Sequence, residues 1–140
     1  MNGRSAYLLD TNVLSETRKK RPDTGVIAFL QAADSSALYI SVLTLGELRN
    51  GVIEKKRSDP AAAQSLATWV DGFEWGFADR ILGIDAAIAR LWGEWSGERP
   101  RAVVDTLLAA TAMQHKLTLV TRSVRHVRGL PIKVLNPWKA

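Results

Sequence analysis

Apolar residues in this chain gather in short runs separated by longer amphipathic stretches, and that alternation predicts strands and helices in turn. Tyr7-Leu8-Leu9 is such a run, too short for a helix, and it stops abruptly at Asp10-Thr11-Asn12. A strand that passes through a polar turn into a helix over about residues 13–19, broken by Pro22, is the expected unit. Leu38-Tyr39-Ile40-Ser41-Val42 is rich enough in β-branched and aromatic residues for a second strand. Residues 81–84, 117–121 and 132–135 read as the third, fourth and fifth. Helical spacing fills the intervals. Asp23-Thr24 caps a helix carrying Val26, Ile27 and Leu30, and another opens at Thr44. Pro60 takes the first-turn position of a helix with Leu66, Trp69, Val70 and Phe73 on one face. Asp85 caps a helix with Ile88, Leu91, Trp92 and Trp95, and an alanine-rich helix spans about residues 104–115. Strands separated by helices throughout imply right-handed crossovers. The expected fold class is α/β: a three-layer domain whose central, mainly parallel sheet of four to five strands is flanked by helices.

Length and composition narrow this picture. With 140 residues, 46% of them hydrophobic, the chain suits a single domain over residues 1–140. It has no cysteine, which excludes disulfide frameworks and thiolate metal sites. The stretch Met1 to Ser5 is polar and the first apolar run ends at Asp10, too short for a signal-peptide core or a membrane span, so a soluble, cytoplasmic protein is expected. A net charge of +5 favours a polyanionic partner such as nucleic acid. The positive residues cluster at Arg18-Lys19-Lys20-Arg21, at Lys55-Lys56-Arg57, at Arg99 with Arg101, and at Arg122, Arg125 and Arg128. Each cluster taken singly also reads as a solvated loop or helix end.

Three carboxylates flank strand ends in this arrangement: Asp10 after the first strand, Glu47 after the second, and Asp105 on the helix preceding the fourth. Each has a second reading. Asp10 and Asp105 suit helix N-caps, and Glu47 follows Thr44 at capping-box spacing. As a shared site they form a hard oxygen donor set suited to Mg²⁺ or Mn²⁺, since mutually repelling anions need a cation between them. Such a metal polarises a phosphodiester and supplies a hydroxide nucleophile. His115 and His126 read as a helix-end residue and a surface residue in a basic loop.

The segments Leu9-Asp10-Thr11-Asn12-Val13-Leu14-Ser15-Glu16, Thr44-Leu45-Gly46-Glu47-Leu48-Arg49-Asn50-Gly51, Asp105-Thr106-Leu107-Leu108-Ala109-Ala110-Thr111-Ala112, Leu119-Val120-Thr121-Arg122 and Asn136-Pro137-Trp138 occur in one order. Together they resemble PIN-domain proteins, in particular the VapC and FitB-like ribonuclease toxins of type II toxin-antitoxin modules. The resemblance runs from Tyr7 to Trp138. It implies a PIN fold, Mg²⁺-dependent endoribonuclease activity on RNA, homodimerisation, and inhibition by a small cognate VapB-like antitoxin. By position it makes Asp10, Glu47 and Asp105 the catalytic, metal-holding residues. The chain departs from the family pattern after the fourth strand, where Ser123 and His126 stand in place of acidic or amide residues. That departure predicts weak Mg²⁺ binding centred between Asp10 and Asp105, a preference for Mn²⁺, and better binding in Ser123→Asp. Two other readings compete: a degenerate PIN domain that binds RNA or a partner without cutting, and a phosphatase with an Asp-tipped first strand. The phosphatase pattern expects a second Asp where this chain has Asn12.

Overall fold

The computed structural model describes residues 5–139; Met1 to Arg4, part of the polar N-terminal stretch, and Ala140 lie outside the described residues. The chain runs β1 (Tyr7–Leu9), α1 (Thr11–Glu16), α2 (Thr24–Ala32), β2 (Leu38–Ser41), α3 (Val42–Ser58), α4 (Pro60–Gly76), β3 (Ile81–Leu82), α5 (Ala86–Glu98), α6 (Val103–His115), β4 (Thr118–Val120) and β5 (Val134–Leu135), with 3-10 turns at Ser35–Ala37 and Val124–Val127. The strands form one sheet in the order β3-β2-β1-β4-β5. Every pairing is parallel; Leu9 faces Val120 between β1 and β4, and Leu8 faces Tyr39 between β1 and β2.

Alternation along the central strands divides the core into two layers. Leu8 and Leu119 point to one face, where α5 and α6 supply Ile88, Trp95, Leu108, Ala109, Ala110 and Ala112. Leu9 and Val120 point to the other, against Val13, Leu14, Val26, Leu48 and Val70 from α1 to α4. Helix α6 lies close to the sheet because its inward positions are small: Ala109, Ala110 and Ala112 are completely buried. Fully burying a side chain such as Leu8 or Leu9 contributes about 1.5–3 kcal/mol, so the two central strands are firmly held.

Local chemistry sets the helix starts. The Asp23 carboxylate accepts from the backbone N–H groups of Gly25 and Val26, Asp59 from Ala62, and Asp85 from Ile88. Helix α3 begins two residues before the expected Thr44, because Ser41, the last residue of β2, turns its hydroxyl to accept from the Leu43 N–H. The Thr44–Glu47 capping box is therefore not formed. Asp105 is not a cap either, since α6 starts from Ala102 and places Asp105 within its first turn.

The chain's last described residues return to the start of the fold. Glu16, on α1, accepts from the Asp23 N–H at 2.8 Å, from the Trp138 indole N–H at 3.4 Å and from Lys19 Nζ at 2.9 Å. The Lys139 N–H reaches Asp23 at 3.2 Å. Gly25 lies beneath this segment so closely that a β-carbon there would stand 2.2 Å from the Pro137 carbonyl oxygen.

Candidate active site

In a sheet of this order, chain direction reverses beside β1, and the crevice beyond the carboxyl ends of β1 and β4 is where an open parallel sheet offers a ligand site. Asp10 occupies that point. Its N–H donates to the Val120 carbonyl at 3.0 Å, continuing the β1–β4 ladder by one residue. Its side chain makes no cap bond to α1, although it stands in the N-cap position. Instead, Oδ2 accepts the Thr121 hydroxyl at 2.7 Å in a buried contact. Thr121 is itself fixed, because its Oγ1 accepts from the Ser123 N–H at 2.9 Å.

Burial pushes the Asp10 carboxyl above its ordinary range, and only 5% of the residue is exposed. The Thr121 hydroxyl pulls it back, while the negative charges of Asp105 and then Glu47 push it up again. The three acidic residues of the sequence therefore share one electrostatic neighbourhood. Among the described residues they do not form a closed metal-binding cluster of three or more acidic or histidine side chains. Glu47 is exposed and accepts the Thr11 hydroxyl at 2.5 Å; that hydroxyl also lies 3.2 Å from the hydroxyl of buried Thr44. Asp105 meets His126, with Nδ1 at 2.6 Å from Oδ2.

Thr11, Thr121 and His126 are the neighbours that reading the sequence did not assign. Thr11 sat in the polar turn and Thr121 at the end of an expected strand, but which strand would lie beside β1 was not visible. His126 is exposed, as expected, yet it has a carboxylate partner.

The cations sort into two groups. Arg49 ties α3 to α4 through Asp71 and Glu74, at 2.5 Å and 2.7 Å. Arg99 and Arg101 donate to the backbone carbonyls of Arg128 and Trp95. Arg122, just beyond Thr121, lies over the Trp138 ring at 5.4 Å, and Arg125 is exposed on the following turn. From Glu47 a cleft of about 210 Å³ continues between α1, α3 and α4 to Trp69, over which the Arg18 guanidinium lies at 5.4 Å. A roomier hollow of about 450 Å³ opens at the amino ends of β1 and β4 and is lined by no carboxylate. Its size does not make it the better candidate, because the chemistry lies at the other end of the strands.

The donor set suits a hard divalent cation. A mostly buried carboxylate, raised by burial and by two further anions and partly relieved by hydrogen bonds from Thr121 and the Thr11 backbone, gains from a cation placed beside it. An open arrangement matches Mg²⁺ or Mn²⁺ better than a closed cage, since Mg²⁺ keeps several waters and uses one or two carboxylates. No described helix is long and apolar enough to cross a membrane.

The PIN domain family model matches residues 7–128. The toxin FitB of Neisseria gonorrhoeae is 32% identical over 142 residues, covering 94% of this chain and 97% of that protein. The VapC ribonuclease Y4jK of Sinorhizobium fredii is 31% identical, with the same coverage of each chain. Among solved structures, FitAcB from Neisseria gonorrhoeae superposes with a TM-score of 0.86 at 31% identity, over 96% of this chain and 99% of that one.

Proposed function

Because the chain belongs to the PIN-domain family, we propose that it is a metal-dependent endoribonuclease, the toxin of a type II toxin-antitoxin module, that hydrolyses RNA phosphodiester bonds at the end of β1 and β4. The observation that carries this reading is Asp10: a carboxylate at the switch point of the strand order, its pKa raised first by burial and then by Asp105 and Glu47, with its oxygen fixed by Thr121. Two relatives support it as well. One relative is called a VapC ribonuclease and another the toxin FitB.

Asp10 and Asp105 would hold the Mg²⁺ or Mn²⁺, and Glu47 would complete the acidic set. When bound, the metal polarises the phosphodiester and lowers the pKa of a water. The chain's own groups prepare that event. Thr121 keeps Asp10 in one orientation with Oδ1 free of the contact to its hydroxyl, and Thr11 restrains Glu47. Arg122 and Arg125 offer positive charge to phosphates on either side of the scissile bond, where contacts fix register rather than sequence. A homodimer held in check by a VapB-like antitoxin completes the reading; the antitoxin is supported by a structural neighbour, 25% identical with a TM-score of 0.67, solved as a toxin-antitoxin complex from Klebsiella pneumoniae.

The test is cleavage of structured RNAs by wild type and Asp10→Asn, with and without Mg²⁺ or Mn²⁺. Metal-dependent cutting by wild type alone is the expected result. RNA binding without cutting by wild type makes the chain a binding module instead.

A further inference from the structure

The segment from Thr121 to Val127 reaches both inner carboxylates. Its first residue donates a hydroxyl to Asp10, and His126 meets Asp105. Between them the segment is braced: the Ser123 N–H is held by the Thr121 hydroxyl oxygen, the His126 N–H by the Ser123 carbonyl at 3.1 Å, and Val127 is buried in the core beside α6. We infer that His126 is a positioning residue for Asp105, holding Oδ2 so that Oδ1 is the oxygen offered to a divalent cation; this rests on the nuclease reading above.

The chemistry of the contact supports that role. A ring nitrogen 2.6 Å from a carboxylate oxygen needs a proton between them. A neutral imidazole supplies it only by carrying its proton on Nδ1, which leaves a lone pair on Nε2 and defines the tautomer. Asp105 has use for such a restraint. Its side chain is 21% exposed, and α6 starts from Ala102 with no side-chain cap to order this end. Asp105 also faces Asp10, whose charge repels it. Thr121 and His126 thus fix one oxygen on each carboxylate from a single short segment, setting the separation that an ion would see. Groups that hold a metal-binding carboxylate in this way typically matter by roughly 10–100-fold in affinity.

The alternative, in which His126 binds the ion itself through Nε2, makes a different prediction. The Asn amide of His126→Asn reproduces a donor at the Nδ1 position and nothing at Nε2. Full-length wild type, His126→Ala and His126→Asn are titrated with Mn²⁺ by calorimetry, alongside a long-range ¹H–¹⁵N spectrum of the metal-free wild type. The expected outcome is a loss of about tenfold or more in Mn²⁺ affinity for His126→Ala, largely restored in His126→Asn, with wild-type His126 protonated on Nδ1. Equal losses in both variants show direct ligation and overturn the inference. Unchanged affinity in His126→Ala, with wild type still binding Mn²⁺ and cutting RNA, overturns the role of His126 and leaves the nuclease reading standing. Wild type that takes up no Mn²⁺ overturns both.

Discussion

Thr121 and Asp10 are 111 positions apart in sequence and joined by a buried 2.7 Å hydrogen bond across the seam between β4 and β1. The hydroxyl stabilises the charged form of a carboxylate that burial and two neighbouring anions oppose. Thr121→Val keeps the shape and removes the donor. It is expected to raise the Asp10 pKa further and to weaken Mn²⁺ binding, because the ion must then displace a more tightly held proton. Calorimetric titration of the variant at two pH values checks this, with the deficit larger at the lower one.

Asp10→Asn and Asp105→Asn should each abolish RNA cleavage and leave the circular dichroism spectrum unchanged. Each substitution removes a charge at nearly constant size. Metal-dependent cutting retained by either variant, in nuclease-free protein, excludes that residue from the mechanism.

Without metal, Asp10→Asn should melt at a higher temperature than wild type at neutral pH. The Asp10 pKa is raised on folding, so its contribution to stability is fully present below its ordinary value of 3.8 and is lost as pH rises through the folded value. The gap between variant and wild type therefore opens above pH 3.8 and closes below it. Each kcal/mol gained corresponds to roughly 2–4 °C in a chain of this size. Glu16 titrates in the opposite sense. Lys19 and the Asp23 N–H hold its carboxyl below the ordinary 4.5, so its contribution is present above that pH and is lost as pH falls through the folded value. Glu16→Gln should narrow its stability deficit on acidification, and a deficit that is constant from pH 3 to 7 would contradict the assignment.

Gly25→Ala should destabilise the protein by about 1–3 kcal/mol, the usual range for overpacking. The obstacle is the Pro137 backbone oxygen, which no rotamer change removes, with Lys139 Cγ a further 2.7 Å contact. Denaturant unfolding would show it, and a wild-type midpoint for the variant would mean that the C-terminal segment moves aside at no cost.

The tryptophans separate folding from association. Trp95 is 8% exposed within the α5–α6 core and Trp75 is 87% exposed at the end of α4. Trp95→Ala should cost about 3–5 kcal/mol in folding, while Trp75→Ala should leave stability within roughly 0.5 kcal/mol. Homodimerisation was expected from the family resemblance, and the five tryptophans include the aromatic surface available to it. With Trp95 in the core and Trp92 half-buried, Trp75 is the one whose truncation light scattering should register.

Most of the fold was legible because short apolar runs and helical periodicity mark β1, β2 and the helices α2, α4, α5 and α6 within a residue or two. Three strands were read two residues too long, the fourth covering Thr118–Val120 rather than residues 117–121. Residues 81–84 yield only Ile81–Leu82, since at Gly83 the chain leaves this edge strand for the helix that Asp85 caps, and the fifth shrinks to Val134–Leu135 for want of an outer neighbour. The placing of Asp10 after β1 and of Asp105 at the start of α6 was also legible, from an apolar run that stops at a carboxylate and from an alanine-rich helical stretch. Their partners were not. Thr121 reaches Asp10 only because β4 inserts beside β1, and His126 reaches Asp105 across a 3-10 turn. Helix α3 defeated the capping-box reading by starting directly from the strand, where Ser41 outcompeted Thr44 for the cap.

The strand order has a temporal side. β1 is made first, but β4, which carries the Asp10 hydrogen bond, follows 111 positions later. At synthesis rates of about 5–20 residues per second, roughly 6–22 s separate Asp10 from Thr121. Throughout that interval a nascent chain already holds Asp10, then Glu47, then Asp105, yet lacks both Thr121 and His126. Asp10 and Asp105 lack these partners until β4 and the turn after it are in place, so nuclease competence is expected to arise late and abruptly during biosynthesis rather than growing with chain length.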